Sequence, residues 1–102
     1  MRTTTEGRVD VRRMKRPPTH PGEILVEEFL RPLGLTQAEA ARRMDISTNR
    51  LNELARGKRG VTAATAIRLS NLLGTSPELW LNLQTTWDLW HAYRSERQHG
   101  AA

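Results

Sequence analysis

GLTQAEAARRMDISTNRLNELARG, residues 34–57, decides how this chain folds. Thr36, Gln37, Ala38 and Glu39 spell a capping box: Thr36 caps a helix and Glu39 is expected to reach back to it. The helix then runs to Met44, with Ala38, Ala41 and Met44 expected inward and Ala41 small enough for a neighbouring helix to cross closely. Asp45 falls where the chain must turn through a left-handed conformation, which Asp tolerates better than most residues with a side chain. Ile46 plugs the core and Ser47 caps a second helix. That helix, residues 48–56, buries Leu51, Leu54 and Ala55, leaves Thr48, Asn49, Asn52, Glu53 and Arg56 outside, and ends at Gly57. Two short capped helices joined by a tight turn, the second with a polar outer face, make a helix-turn-helix.

The flanks extend the helical reading. Upstream, Pro21 suits a first helical turn, with Glu23 near the positive helix end. Leu25, Phe29 and Leu33 recur every four residues, flanked by Val26 and Leu30, as one apolar face. Pro32 has no N–H, so this helix is expected to end or distort there, and Gly34 supplies the exit. Downstream, Lys58-Arg59-Gly60 is a basic turn. Thr62 caps a fourth helix with Ala63, Ala66, Ile67, Ser70 and Leu73 on one face, and Gly74 ends it. Ser76-Pro77-Glu78 opens a fifth helix, expected to run to about Arg97, in which Trp80, Leu83, Trp87 and Trp90 are spaced 3, 4 and 3. The expected fold class is all-α with five helices: an arm at 1–19, a domain at 20–94 and a fraying polar tail at 95–102.

Composition bounds the function. The chain has 102 residues, enough for one small domain, and no cysteine, which removes disulfides and thiolate metal sites. No apolar run approaches the roughly 18 residues of a membrane span, and the basic N-terminus lacks the apolar stretch of a signal peptide. Net charge is +5, but residues 1–19 carry Arg2, Arg8, Arg12, Arg13, Lys15 and Arg16 against Glu6 and Asp10, so the arm holds +4 and the remaining residues only +1. Residues 1–19 are expected to be a flexible basic arm, with a short strand through Val9, Val11 and Met14 as the less favoured reading. Met14 would also serve as a start, which would make the first thirteen residues an extension.

The chemistry of the helix-turn-helix points to duplex DNA. A recognition helix lies in the major groove with its N-terminal half toward base edges, where Asn and Gln pair with adenine, Arg with guanine, and Thr meets the thymine methyl. Thr48, Asn49 and Asn52 are the base-reading candidates. Arg50 is placed to reach a base or a phosphate; Glu53 accepts from a cytosine amine or repels phosphate. Gln37, at the start of the preceding helix, is placed to bond a phosphate, and Lys58 and Arg59 suit the flanking phosphates. Ser47 and Arg56 complete the candidate surface. The bland alternative is a small helical bundle whose capped helices merely have polar outer faces.

Two further stretches carry a resemblance. His20-Pro21-Gly22-Glu23-Ile24-Leu25 opens the domain and Gly74-Thr75-Ser76-Pro77-Glu78-Leu79-Trp80-Leu81-Asn82-Leu83-Gln84 follows the fourth helix. With the helix-turn-helix between them, residues 20–92 resemble the HigA (VapI-like) antitoxins of the Cro/CI-type (Xre), lambda-repressor-like class. The resemblance implies a cytoplasmic homodimer that binds operator DNA, represses its own operon, and neutralises a HigB-like mRNA-cleaving toxin of the RelE family by direct binding. It carries the DNA contacts onto Gln37, Thr48, Asn49, Asn52 and Arg50. Asp45 stands where the family commonly has Gly.

A dimer also follows from physical reasoning. One recognition helix reads only a few base pairs, and a two-fold dimer reads two half-sites about 34 Å apart. Three Trp in one helix exceed the needs of a small core. Trp80 is therefore assigned to the core, and Leu83, Trp87 and Trp90 partly to a dimer seam, against the alternative that all pack within one subunit. The competing functions are a stand-alone regulator of the same fold without a toxin, and a protein-only adaptor. Catalysis finds no support: His20, His91 and His99 lie at opposite ends, no HExxH or phosphate loop is present, and Glu27-Glu28 point apart. No cofactor, metal or small-molecule substrate is expected.

Overall fold

A computed structural model describes residues 10–100, the side chains as far as Arg97. The domain is built from five helices: α1 over residues 21–33, α2 Gln37–Met44, α3 Thr48–Ala55, α4 Ala63–Leu73 and α5 Pro77–Gly100. No strand occurs among the described residues.

Helix α1 begins at a histidine cap. His20 Nδ1 accepts from Gly22 N at 2.9 Å, and Pro21 follows at the first helical position. The helix is α over Pro21–Ile24, π over Leu25–Leu30 and α again over Arg31–Leu33. Pro32 accounts for the wide turn: in a regular helix its ring would meet the carbonyl four residues back, and five-residue spacing relieves that. The extra residue per turn rotates the apolar face. Leu25 and Leu30 are buried, whereas Leu33, expected on that face, is 59% exposed.

The caps of α2, α3 and α4 form as the sequence predicts. Thr36 Oγ1, Ser47 Oγ and Thr62 Oγ1 each accept from the backbone N–H three residues on, at 3.0, 3.0 and 3.2 Å. The reciprocal half of the capping box does not form. Glu39 turns instead to Arg42 and Arg43, and these guanidinium groups hold its carboxyl at about 2. Two charge-assisted partners on the same helix outcompete one backbone N–H. The buried stripe of α2 is Ala40, Ala41 and Met44; Ala38 faces solvent. In α4 it is Thr65, Ala66 and Leu69, with Ile67 52% exposed and Ala63 also outside. Both corrections amount to a rotation of the helix that small, weakly hydrophobic alanines do not fix.

Asp45 adopts the left-handed conformation, φ 59° and ψ 45°. Asp45 N bonds Arg42 O at 3.2 Å and Ile46 N bonds Ala41 O at 3.0 Å, which closes α2 in a Schellman arrangement. Arg68 Nη1, from α4, donates to Met44 O at 2.6 Å and satisfies a further terminal carbonyl. Helix α5 supplies the lid of the core. Trp80 is fully buried, packs on Phe29 at 5.4 Å between ring centroids and donates from Nε1 to Thr75 Oγ1 at 2.7 Å. The helix runs to Gly100, three residues beyond the expected end near Arg97.

The described end of the basic arm is not free of the domain. Val11–Arg13 form one 3-10 turn, capped by Asp10, beside the C-terminal half of α5. Val11 and Met14 therefore do not belong to a strand. Residues 1–9, including Val9, and residues 101–102 lie outside the described residues.

Candidate nucleic-acid interface

Helix α3 is seated from below by two residues at the start of α1. A β-carbon built at Gly22 would overlap the carbonyl oxygen of Leu54, so only glycine lets α1 approach the end of α3 this closely. The His20 ring lies against Gly57, the left-handed residue (φ 76°) that terminates α3, and meets Trp87 edge-on at 4.9 Å. From above, Gln84 of α5 fixes the loop that leaves α3. Its Oε1 accepts from Val61 N at 2.7 Å, its Nε2 donates to Asp88 Oδ1 at 2.9 Å, and its amide fills the space beside Gly60. Sequence reasoning assigns Gly22 and Gln84 no task, because both tasks depend on elements more than twenty residues away.

Held this way, α3 presents its N-terminal turn to solvent. Thr48 and Asn49 are exposed. Asn52 Nδ2 donates to Gln37 Oε1 at 3.2 Å, so the two amides form one unit across the turn. The unit keeps a free donor on Gln37 and a free acceptor on Asn52, the complement of an adenine edge or of a phosphate. Ser47 is exposed at the same end, its oxygen accepting from Arg50 N while its own O–H stays free to donate.

Three other candidates have internal partners. Arg50 is half-buried and reaches toward α4, where Nη2 donates to Thr65 Oγ1 at 3.3 Å; its Nε is buried without a partner. It thus ties α3 to the cap of α4. Glu53 accepts from Arg59 Nη2 at 2.7 Å and Nε at 3.1 Å, so the acid and the base are paired with each other. Arg56 and Lys58 are exposed and make no ion pair among the described residues. The bases of the α3 exit therefore divide into one tethered (Arg59) and two open (Arg56, Lys58).

The tryptophans divide as well. Trp90 is 8% exposed within its own chain and Trp87, half-buried, packs on His20, while Leu83 is half-buried against the core. Of the three residues expected at a dimer seam, Leu83 and Trp87 keep surface to offer; exposed apolar surface on the same helix lies at Leu79 and Leu89.

Comparison with known proteins identifies the family. The helix-turn-helix family profile HTH_3 matches residues 26–80. The chain is 48% identical over 73 residues to virulence-associated protein I of Dichelobacter nodosus, covering 72% of this chain and 68% of that protein. It is 44% identical over 81 residues to antitoxin HigA-1 of Vibrio cholerae, covering 78% and 75%. Among solved structures, Pseudomonas aeruginosa antitoxin HigA with the higBA promoter is 39% identical and superposes with a TM-score of 0.77 over 80% of this chain and 89% of that one.

Proposed function

The chain belongs to the helix-turn-helix family, in its HigA- and VapI-like branch, and we propose that it is a cytoplasmic, operator-binding repressor that acts as a two-fold dimer and as the antitoxin of a HigB-like, RelE-family toxin. The observation that carries the DNA part is the exposed first turn of α3, with Thr48 and Asn49 beside the coupled Gln37–Asn52 amides. Thr48, Asn49 and Asn52 read base edges in the major groove. Gln37 and Ser47 bond the phosphate at the start of the helix, and Arg56 and Lys58 bond those at its exit. Arg50 acts from within as a strut, and Arg59 joins the phosphate contacts only by leaving Glu53.

The dimer sets the half-site spacing and runs along α5, where Leu83 and Trp87 keep apolar surface. The P. aeruginosa HigA was solved with its promoter, which supports the reading of a promoter as the target here. Footprinting on the chain's own upstream region tests it. Two protected half-sites about 34 Å apart fit the proposal; one protected patch, or none, rejects it.

The second reading is a stand-alone regulator of the same fold, favoured by relatives described as HTH-type transcriptional regulators, such as the Haemophilus influenzae protein 40% identical over 84 residues. Co-expression with the product of the adjacent gene separates the two. Rescue of growth from that product supports the antitoxin; an adjacent product that neither inhibits growth nor binds the chain favours the regulator.

A further inference from the structure

Away from α3, residues 10–14 and the C-terminal half of α5 enclose a cleft of about 530 Å³, lined by Val11, Arg12, Met14, Tyr93, Arg94 and Arg97. Its lining combines Val11, Met14 and the Tyr93 ring with three guanidinium groups. Arg12 is oriented by Asp10, which accepts from Nε at 3.0 Å and from Nη2 at 2.9 Å. Arg94 lies over the Trp90 ring at 4.8 Å and Arg97 over the Tyr93 ring at 5.9 Å. Arg97 Nη1 also donates to the Tyr93 hydroxyl at 3.5 Å, whereas Arg94, stacked on Trp90, keeps its edge donors open, the geometry that receives a carboxylate in two parallel hydrogen bonds. Neither Arg94 nor Arg97 pairs with a carboxylate among the described residues, although Glu96 sits between them in sequence. Arg13, Lys15 and Arg16 add positive charge to the segment that carries Val11, Arg12 and Met14.

We propose that this cleft docks an acidic segment of a partner protein, one in which carboxylates flank an apolar side chain. The apolar part of the lining, Val11, Met14 and the Tyr93 ring, favours this over a nucleic-acid backbone, which offers phosphates but nothing apolar to place there. The shape agrees: a concave cleft admits side chains, whereas a duplex presents a convex surface. Position agrees as well. Gln84 marks where α5 meets the loop leaving α3, and Arg94 lies ten residues further along a helix that rises about 1.5 Å per residue, about 15 Å beyond that loop. The cleft would bind its partner whether or not α3 holds DNA.

The test uses the isotope-labelled full chain and two synthetic peptides, Glu-Glu-Leu-Asp-Glu and its neutral analogue Gln-Gln-Leu-Asn-Gln, followed by NMR. The acidic peptide should bind at least about tenfold more tightly than the neutral one, with shifts at Val11, Arg12, Met14, Tyr93, Arg94 and Arg97. The double variant Arg94→Gln/Arg97→Gln should weaken that binding by about tenfold or more and leave affinity for the promoter duplex within about twofold. If the double variant loses helix content, Arg12→Gln, from the other lining segment, takes its place. Equal affinity for the two peptides, no binding of the acidic one, or shifts elsewhere would overturn the proposal. Parallel loss of peptide and duplex affinity would reassign the cleft to the nucleic-acid backbone.

Discussion

Gly22 lies against the main-chain carbonyl of Leu54, in a space that no other residue fits. The opening of α1 is thereby pressed onto the last turn of α3, so one glycine sets the height at which the recognition helix stands above the core. Gly22→Ala must move backbone rather than a side-chain tip. The expected loss is about 2 kcal/mol or more, read as a lowered denaturation midpoint. Operator affinity should fall in the fraction that stays folded, because α3 is displaced.

Gln84 holds the far side of the same unit. Gln84→Ala leaves the N–H of buried Val61 without its acceptor, at a cost of about 1–3 kcal/mol. For a domain of this size that corresponds to a drop in Tm of roughly 5 °C or more, measurable by circular dichroism. An unchanged Tm would show that the loop after α3 is held by other contacts.

Glu53 restrains Arg59. Glu53→Gln weakens the pair and removes a negative charge from α3. Binding to scrambled duplex should tighten, and the logarithmic salt dependence should steepen by about 0.9 as the released Arg59 neutralises one more phosphate. Selectivity for operator over scrambled DNA should narrow. No change in salt slope would mean that Arg59 takes no part in binding.

His20 imposes a pH dependence. Its Nδ1 is an acceptor, which requires the neutral ring, and burial pushes its pKa below the usual 6.5; Asp88 opposes that shift and His91 adds to it. The folded state therefore binds the proton less well than the unfolded chain. This contribution to stability is whole above about 6.5 and declines as pH falls from there toward the lower folded-state value. Tm measured between pH 7 and pH 5 should fall in the wild type, and fall less in His20→Asn, which keeps a cap without titrating there. Equal slopes would contradict the assignment.

How much was legible beforehand follows the range of the interactions. The caps at Thr36, Ser47 and Thr62, the left-handed turn at Asp45, the stop at Gly57 and the burial of Leu51, Leu54 and Trp80 are local or strongly apolar, and each stands where the sequence places it. Pro32 announces a distortion, but not that the turn before it widens and turns Leu33 out of the face that Leu25 and Leu30 keep. Alanine-rich α2 and α4 leave rotation to tertiary packing, which selects Ala40 over Ala38 and Thr65 over Ile67. At the candidate site, the polar outer face of α3 is visible in sequence. Its internal pairing is not: the Gln37–Asn52 bond, the Arg50–Thr65 strut and the Glu53–Arg59 pair join residues 15, 15 and 6 apart. The Trp-rich helix shows the same limit, since spacing alone does not reveal that Trp90 is consumed inside its own chain.

The central claim is that the first turn of α3 reads a specific DNA sequence. Its most direct measurement is the ratio of affinities for the chain's own upstream promoter duplex and a scrambled duplex, for wild type and Asn49→Ala, at matched salt. The wild type should prefer the promoter by about a thousandfold or more, and Asn49→Ala should lose about 1–3 kcal/mol on the promoter, roughly 5- to 150-fold, with little change on scrambled DNA. A wild-type ratio near one, or an equal loss on both duplexes, would contradict the account.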